Sequence, residues 1–510
     1  MSQNTIILFF PVFDYAYKGS EYIPYSVLQL ERAVRHTGTD IVIIDENVDK
    51  DYEKIISKYK DSILIAAVSA ITGFQIKGGL EFTQIIRKSA PQALVVWGGW
   101  HTTIVPEQTL MTHEIDFIIT GQGEKPFSEL TEAILNKQTY ENIKGLGFKK
   151  DDKLCINPAE EFYNLNQFPD VNYTLIDVNK YVLQTDFSER RLMYFATYGC
   201  PFNCAFCSGA QIFKKKWFPK KLDSVIADLK YFIRVAHIDS ILFWDDNFFS
   251  NKKFVLDFAQ RLIDENINLL WEGSAHARSF LNMFTEQDVK LLYKAGLRRV
   301  STGAETGDNK VLSIIKDNLK YQDVLLLIEF LNKNKITTFF STMLGYPFDK
   351  NNDIDASFNF IRRAKLIDNN VKVQINIYTP YPHTHLYKNA LEKGFKEPQQ
   401  LSEWINHSPE KFKPPWIKKS FYSKIEAFMN FYLPFSEKNC YQRAPVNFKN
   451  VAFIFNVLLH PLLYMRFKYN FFIFPFEWYI FKSLLKRYNK KHNTHLKFYA
   501  YGVFGDVIRA

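Results

Sequence analysis

The chain alternates short apolar runs with helical patterns, first over residues 5–135 and again over residues 192–377. This alternation is typical of parallel sheets whose strands are joined by crossover helices and covered on both faces. Residues 1–148 are therefore predicted to form a Rossmann-like α/β domain. Its predicted helices are Tyr25–Arg35, Phe74–Lys88 and Lys125–Leu135, and its predicted strands are Thr5–Phe10, Ile41–Asp45, Ile63–Ser69, Ala93–Trp97 and Asp116–Thr120.

The second alternation predicts a partial (β/α)6 barrel over residues 186–398, with an irregular linker at 149–185 between the two domains. Barrel enzymes place their chemistry at the C-terminal mouth, so the residues just after each strand are the candidate site. The six predicted strands are Leu192–Thr197, Ser240–Trp244, Leu269–Ala275, Arg299–Gly303, Thr337–Met343 and Val371–Ile377.

The exit of the first barrel strand carries three of the five cysteines of the chain, Cys200, Cys204 and Cys207. Three thiolates at C-x3-C-x2-C spacing can hold three corners of a [4Fe–4S] cube and leave the fourth iron open to a small molecule. The alternative is a zinc knuckle, but structural zinc sites almost always have four Cys or His ligands. No histidine lies between residues 114 and 236, and Cys155 and Cys440 are distant in sequence. The spacing favours iron–sulfur over zinc.

Three strand exits of the first domain have residues suited to binding a ligand. Glycines let the backbone approach a ligand closely, and free N–H groups at the next helix start can bind phosphate or amide oxygens. One glycine turn after a strand is usually only a turn, but ligands of such sheets bind where several strand ends meet. The candidates are Ser69 and Thr72 after the third strand, Gly98, Gly99 and His101 after the fourth, and Gly121, Gly123 and Glu124 after the fifth.

Polar residues also follow the second, third and fourth barrel strands. They are Asp245, Asp246, Asn247, His276, Arg278 and Glu305. A carboxylate at such a position can instead cap a helix N-terminus, and this alternative stays open for Asp246 and Asp308.

The loop TYGCPFNCAFCSG, with Phe206 before its last cysteine, resembles the cluster loop of the radical S-adenosylmethionine enzymes. The WDDNFF, AHARS and GAETGD stretches resemble further motifs of that family, so the resemblance covers the whole barrel. It implies that S-adenosylmethionine chelates the open iron. The implied contacts are Asp245, Asp246 and Asn247 to its amino group, Arg278 to its carboxylate, and Glu305 to hydroxyl or ammonium groups.

The VVWGGWHTT and TGQGEKPF stretches resemble the cobalamin-binding domain found ahead of many of these barrels. The D-x-H-x-x-G motif of other cobalamin proteins is absent, and His36 lies in VRHTG without the aspartate. The resemblance then implies a cobalt without a protein histidine and a tail contact for His101. The alternative is a degenerate domain that only packs on the barrel.

A second departure follows the sixth barrel strand, where His383 and His385 replace the Gly-Thr-Pro turn of the family. They could exchange protons with a substrate, or they could be exposed loop histidines.

Residues 399–510 differ in composition and form a predicted basic, aromatic-rich helical domain. Residues 401–510 carry 17 Lys+Arg against 6 Asp+Glu, whereas the first 400 carry 47 against 48. The apolar stretches Val451–Met465 and Phe471–Ile480 are shorter than the ~20 residues of a membrane span. Aromatic residues beside KSLLKRYNKKH are typical of a helix at a membrane interface. A cap that closes the barrel, with or without membrane contact, and, less favoured, nucleic-acid binding stay open.

The resemblance implies a cobalamin-dependent (class B) radical S-adenosylmethionine enzyme, most simply a methyltransferase that acts at an unactivated carbon through a 5′-deoxyadenosyl radical and methylcobalamin. Cyclisation or rearrangement with the same cofactors, a radical enzyme without cobalamin, and a zinc-braced scaffold are the alternatives. The implied partners are a small or lipid-like substrate and a flavodoxin or ferredoxin as electron donor. Few cysteines lie outside the cluster loop, and MSQNTIILFFPVFDY lacks the basic segment of a signal peptide. We therefore expect a cytoplasmic protein, peripheral on the inner face of the membrane if the last domain contacts lipid.

Overall fold

A computed structural model describes residues 4–13, 22–316, 318–348, 352–409, 411–435, 449–469, 471 and 475–492. Its α/β architecture confirms the predicted fold class, with a sheet domain, a half-barrel and a mostly helical last part.

The first domain is a seven-stranded sheet in the order β2-β1-β3-β4-β5-β6-β7. Strands β1 to β5 are parallel, and β6 and β7 add an antiparallel hairpin at one edge. The strands are β1 (Thr5–Phe10), β2 (Asp40–Asp45), β3 (Ile63–Ser69), β4 (Leu94–Gly98), β5 (Phe117–Ile119), β6 (Leu146–Lys150) and β7 (Lys153–Ile156). The helices are α1 (Tyr25–Val34), α2 (Tyr52–Tyr59), α3 (Gln75–Ser89), α4 (Trp100–Ile104), α5 (Pro106–Met111) and α6 (Glu124–Leu135).

The sequence prediction missed the hairpin, because it assigned residues 149–185 to an irregular linker. Asp151 and Asp152 both have left-handed backbone conformations, with φ of 50° and 60°. Two such residues form the type I′ turn that joins twisted antiparallel strands, and Asp tolerates it. The rest of the linker is irregular and contains three short 3₁₀ helices, Leu165–Gln167, Tyr173–Leu175 and Val178–Tyr181.

The second domain is a six-stranded parallel sheet that curves into the predicted half-barrel, in the order β15-β14-β13-β12-β11-β8. Its strands are β8 (Arg191–Tyr194), β11 (Ser240–Phe243), β12 (Leu270–Ser274), β13 (Leu297–Glu305), β14 (Thr337–Leu344) and β15 (Lys372–Ile377), and β9 (Thr197–Gly199) pairs separately with β10 (Trp217–Pro219). Its helices are α7 (Ser208–Phe213), α8 (Leu222–Ala236), α9 (Lys252–Asp264), α10 (Ala277–Met283), α11 (Glu286–Lys294), α12 (Asn309–Ile315), α13 (Tyr321–Lys333), α14 (Asn352–Ile367) and α15 (Tyr387–Glu392).

The predicted first barrel strand, Leu192–Thr197, is wrong at its end, because the sheet strand stops at Tyr194. The carboxylate of Asp245 accepts hydrogen bonds from the backbone N–H groups of Ala196 and Thr197. Those donors are therefore not available to the neighbouring strand, and the chain leaves the sheet before the cysteine loop.

The last part of the chain is helical and packs on both domains. The 3₁₀ helix Leu401–Asn406 adds Trp404 to the core of the first domain, where the indole Nε1 donates to Gln108 Oε1 at 2.8 Å. The remaining helices are α16 (Lys419–Ala427), α17 (Leu433–Phe435), α18 (Lys449–Phe453), α19 (His460–Lys468) and α20 (Phe476–His492), with π-helical turns at Phe428–Tyr432 and Ile454–Leu458.

Candidate active site

The three cysteines of the loop between β9 and α7 line one cavity of about 510 Å³ at the C-terminal mouth of the half-barrel. Two backbone hydrogen bonds fix the loop at Ala205, whose N–H donates to Ile315 O at 2.8 Å and whose carbonyl accepts from Leu386 N–H at 3.1 Å. The loop is thus held from both sides by the ends of α12 and of the turn before α15. Phe206 also lines this cavity.

The exit of β11 contributes Asp245, Asp246 and Asn247 to the same cavity. Asp245 is buried and binds the backbone before the cysteine loop, so it positions the loop. Burial raises its pKa to about 7. Asn247 is buried too, and its side-chain oxygen has no hydrogen-bond partner among the described residues. This orphaned acceptor is available to an N–H donor of a ligand.

Glu305 lies at the end of β13 in a β-bulge, with a left-handed φ of 63°. Its carboxylate lines the cavity and pairs with Lys316 Nζ at 2.9 Å, and both side chains are 8% exposed. Lys316 also donates to Gly303 O at 2.5 Å. A Cβ on Gly303 would come within 2.0 Å of Glu305 Oε1, so an alanine there would force this carboxylate to move.

A second cavity, of about 550 Å³, lies where the strand ends of the first domain face the half-barrel. Six of the eight residues predicted in that domain line it, namely Ser69, Gly98, Gly99, Gly121, Gly123 and Glu124. The opposite wall comes from the half-barrel and the linker and is aromatic, with Phe162, Phe195, Phe213 and Trp244.

The two cavities share part of their walls. Phe213, at the end of α7, and Trp244, at the end of β11, line both of them. A ligand in the first domain and a ligand at the cysteine loop would therefore meet across these two side chains.

Comparison with known proteins identifies both domains. Residues 194–361 match the model of the radical SAM superfamily, and residues 16–131 match the B12 binding domain. The chain belongs to the cobalamin-dependent radical S-adenosylmethionine enzymes.

Curated relatives of this radical S-adenosylmethionine enzyme have differing names. It is 28% identical over 401 residues to an uncharacterized methyltransferase of Pyrococcus horikoshii, covering 77% of this chain and 84% of that protein. It is 23% identical over 405 residues to the anaerobic magnesium-protoporphyrin IX monomethyl ester cyclase of a Synechocystis species, covering 77% and 78%.

Two solved structures share the fold of the enzyme. One is the cobalamin-dependent enzyme OxsB with aqua-cobalamin and S-adenosylmethionine, at a TM-score of 0.70 and 14% identity over 98% of this chain and 77% of that one. The other is the methyltransferase TsrM of Kitasatospora setae, at a TM-score of 0.64 and 18% identity over 78% of each chain.

The chemistry of the cysteine loop fits the iron–sulfur cluster of this family. Burial raises the pKa of the Cys200 and Cys207 thiols to about 11, so they become thiolates only when a cation such as iron stabilises them. No three His, Cys, Asp or Glu side chains of the described ranges converge on one metal-ion position. In a cubane each thiolate ligand binds a different iron atom, so the three cysteines need not converge on one ion.

The second cavity fits cobalamin, which presents amide donors around an apolar ring. Glu124 borders the cavity, is buried, and has a carboxylate oxygen without a hydrogen-bond partner. Burial raises the pKa of this carboxyl. Among the described residues, no histidine lines the cavity. His36 is exposed and its Nε2 lies 2.6 Å from Glu132 Oε1, away from the strand ends.

Two residues predicted to contact cobalamin, Thr72 and His101, do not line its cavity. His101 follows the exposed Trp100 on α4, and successive helical side chains point about 100° apart. Trp100 borders the cavity, whereas His101 is buried against Trp404, its Nδ1 2.9 Å from Thr72 Oγ1. Burial lowers the pKa of His101 to about 3.

Arg278, predicted to meet the carboxylate of S-adenosylmethionine, is exposed on the first turn of α10 and does not line the cavity. His276, which caps that helix, does line the cavity, and its ring stacks on that of Phe202 with 4.2 Å between the ring centres.

His383 and His385 are exposed loop residues, and neither lines the cavity. Asp308 caps α12, as one alternative proposed.

The sequence prediction missed a buried charge network at the inner end of the half-barrel cavity. Glu272 accepts from Arg191 Nη1 at 2.9 Å and from Arg299 Nη1 at 3.2 Å, and all three line the cavity. Arg299 also pairs with Asp186 at 3.0 Å. The available signal was polar residues at alternate positions of β12 and β13. Side chains at every second residue of a strand point to the same face, so these polar residues could have been predicted to face inward.

Proposed function

We propose that the enzyme is a methyltransferase that acts at an unactivated carbon of a small molecule. The observation that carries this proposal is the wall of Phe213 and Trp244 shared by the two cavities, because a carbon placed there lies between both cofactor sites. The 28% identity to a protein named as a methyltransferase supports it. When bound, the cluster with S-adenosylmethionine supplies a 5′-deoxyadenosyl radical, and cobalamin supplies a methyl group.

In this proposal Cys200, Cys204 and Cys207 ligate the cluster, and Asp245 holds the loop that carries them. The free acceptor of Asn247 and the carboxylate of Glu305 orient S-adenosylmethionine at the mouth of the half-barrel. Arg278 is left out of this proposal, because it is exposed and does not line the cavity.

In the first domain, Glu124 receives an amide of cobalamin, and the residues at the strand ends let the ring lie close to the backbone. These are Ser69, Gly98, Gly99, Gly121 and Gly123. Aromatic side chains on the opposite wall exclude water from the space between the cofactors. Thr72 and His101 support this domain from its core.

The test uses anaerobically purified and reconstituted enzyme. We expect about four irons and one cobalamin per chain, and after reduction with S-adenosylmethionine we expect both 5′-deoxyadenosine and S-adenosylhomocysteine. A deuterated methyl donor should label the product once a substrate is found. A Cys204→Ala variant should lose the iron and the 5′-deoxyadenosine. Zinc in place of iron would overturn the proposal.

A second candidate is radical cyclisation or rearrangement with the same cofactors, which the 23% identity to the protoporphyrin ester cyclase favours. The same assay separates the two. A cyclase forms 5′-deoxyadenosine with substrate but no S-adenosylhomocysteine and no labelled product. Iron without bound cobalamin would exclude both mechanisms.

We further propose a low-potential flavodoxin or ferredoxin as electron donor, an amphiphilic substrate, and a site of action in the cytoplasm at the inner face of the membrane. The low number of cysteines outside the cluster loop supports a reducing compartment. The basic and aromatic composition of the last domain supports the amphiphilic substrate.

A further inference from the structure

The C-terminal helices carry an apolar surface on the outside of the molecule, and we propose that this surface docks the enzyme on a membrane rich in anionic lipid. We call it the outer apolar face. The proposal is independent of the reaction at the active site. The face consists of exposed side chains from α18 to the start of α20, namely Phe453, Ile454, Val457, Leu458, Tyr464, Met465, Tyr469, Phe476, Tyr479 and Ile480.

Packing among the described residues leaves each of these side chains at least one-third exposed. The opposite side of the same helices already supplies a small core, in which Phe455, Leu463 and Phe481 pack together. A surface helix of a water-exposed protein usually directs charged residues outward. Residues 451–465 contain no Asp, Glu, Lys or Arg, and their exposed positions are apolar as well. Exposed apolar side chains grouped on neighbouring helices are typical of an interaction site.

The shape of the helix pair suits the plane of a membrane interface. No single helix among the described residues is long and apolar enough to cross a bilayer, but Lys449–Leu458 and His460–Lys468 together pass that test of length and composition. They are bent by 63° at their junction, where Pro461 lies in the first turn of α19. A bent pair that exposes one apolar side can bury that side in the headgroup region without spanning.

The helices that carry the face contact the half-barrel and each other. Arg362 of α14 donates to Lys468 O at 2.8 Å, and Phe358 of α14 stacks on Phe428 at 3.9 Å. A buried ion pair, Arg466 Nε to Glu477 Oε1 at 2.6 Å, joins α19 to α20. Docking through this face would therefore fix the orientation of the whole enzyme.

Charge beside the face selects anionic lipid as the occupant. Residues 482–492 carry five Lys or Arg and no Asp or Glu. Lys486, Arg487, Lys490 and Lys491 are exposed on α20, which begins within the outer apolar face. Basic residues next to an apolar face bind the headgroups of anionic lipids, whose surface potential attracts them. A second copy of the enzyme would carry the same basic residues, and the two positively charged surfaces would repel each other.

The test is vesicle co-sedimentation of the full chain with phosphatidylcholine vesicles, with and without phosphatidylglycerol. We expect binding to the anionic vesicles. The double variant Leu458→Asp/Met465→Asp should lower partitioning roughly a hundredfold, because it removes two exposed apolar side chains that docking would bury in the membrane interface. The double variant Lys486→Gln/Lys490→Gln should lower it about 25-fold at low salt.

The matched control for the apolar variant is Met111→Asp, since Met111 of α5 and Leu458 are both 68% exposed. Circular dichroism verifies that each variant is folded. The proposal would be overturned if the wild type stayed in the supernatant with anionic vesicles. It would also be overturned if Met111→Asp lowered vesicle binding as much as the apolar double variant does. A dimer that Leu458→Asp/Met465→Asp converts to a monomer would overturn it too. Release of 5′-deoxyadenosine without vesicles is measured in parallel, so failure of docking is distinguished from failure of the proposed chemistry.

Discussion

At the residue scale, the Lys316–Glu305 ion pair holds a cavity carboxylate in place between two nearly buried side chains. Removing one partner of a buried ion pair leaves the other uncompensated and costs about 3–5 kcal/mol. We expect Lys316→Met to lower the free energy of unfolding of the cofactor-free protein by about this amount, measured by chemical denaturation. The double variant Lys316→Met/Glu305→Gln should regain most of it.

The control is Lys333→Met, which removes an exposed pair with Glu329 at 3.3 Å. Exposed pairs contribute about 0–1 kcal/mol. If Lys316→Met were as mild as this control, the pair would not hold the Glu305 carboxylate.

At the element scale, Asp45 joins β2 to the linker, because Tyr181 Oη donates to Asp45 Oδ2 at 2.9 Å. Burial raises the pKa of Asp45 from 3.8 to about 6. A folded-state pKa above the unfolded value means that the folded protein holds this proton more tightly. The stability from this group is therefore full below pH 4 and is lost as the pH rises through 6.

We expect the unfolding free energy of the wild type, minus that of Asp45→Asn, to fall by about 2–3 kcal/mol between pH 4 and pH 7. Denaturation series at several pH values measure this difference. Asp51→Asn, at an exposed position of the same domain, is the control and should show no such slope. A flat difference for Asp45→Asn would show that its carboxyl keeps an ordinary pKa.

The bulge at the end of β13 gives a second prediction at this scale. Gly303→Ala would place a methyl group where the Glu305 carboxylate lies, so we expect roughly tenfold weaker binding of S-adenosylmethionine to the reconstituted enzyme. Equilibrium dialysis measures it. Gly98→Ala is the control, because its Cβ would be 3.7 Å from its nearest neighbour and lies in the other domain. If Gly303→Ala bound S-adenosylmethionine with unchanged affinity, Glu305 would have no part in binding it.

At the scale of the whole molecule, Phe213 separates the two cavities and is buried between the domains. We expect Phe213→Ala to retain less cobalamin and to release more 5′-deoxyadenosine in the absence of substrate, because water and S-adenosylmethionine gain access through the wall. Cobalt content and product analysis measure both effects.

Truncation of a buried Phe also costs about 3–5 kcal/mol of stability, so a matched control is needed. Phe358→Ala provides it, since Phe358 is buried on α14 against Phe428, among residues that line neither cavity. Phe358→Ala should be less stable than the wild type. It should keep its cobalamin and release no more 5′-deoxyadenosine than the wild type in the absence of substrate. The same loss of cobalamin in both variants would contradict a specific role of the wall.

By itself, the sequence determined the parallel strands of both sheets and the class of cofactor chemistry. Hydrophobic period and length placed β1 and β3 at their observed bounds, and the spacing of Cys200, Cys204 and Cys207 indicated a cluster, because both signals are local. Glycines and carboxylates at strand ends also pointed to the two cavities, since parallel strands bring their C-terminal ends to one edge.

Only the tertiary structure decided which of those side chains line the two cavities. Arg278 and His101 lie in motifs at the correct strand ends, but helix rotation turns the first to solvent and the second to the core. Lys316 carried no motif, and α12 brings it to Glu305. Phe213 and Trp244 both belong to the half-barrel, and they line two cavities only because the first domain packs against it. Such contacts join residues far apart in the chain, and their geometry depends on how whole elements pack, which no local pattern encodes.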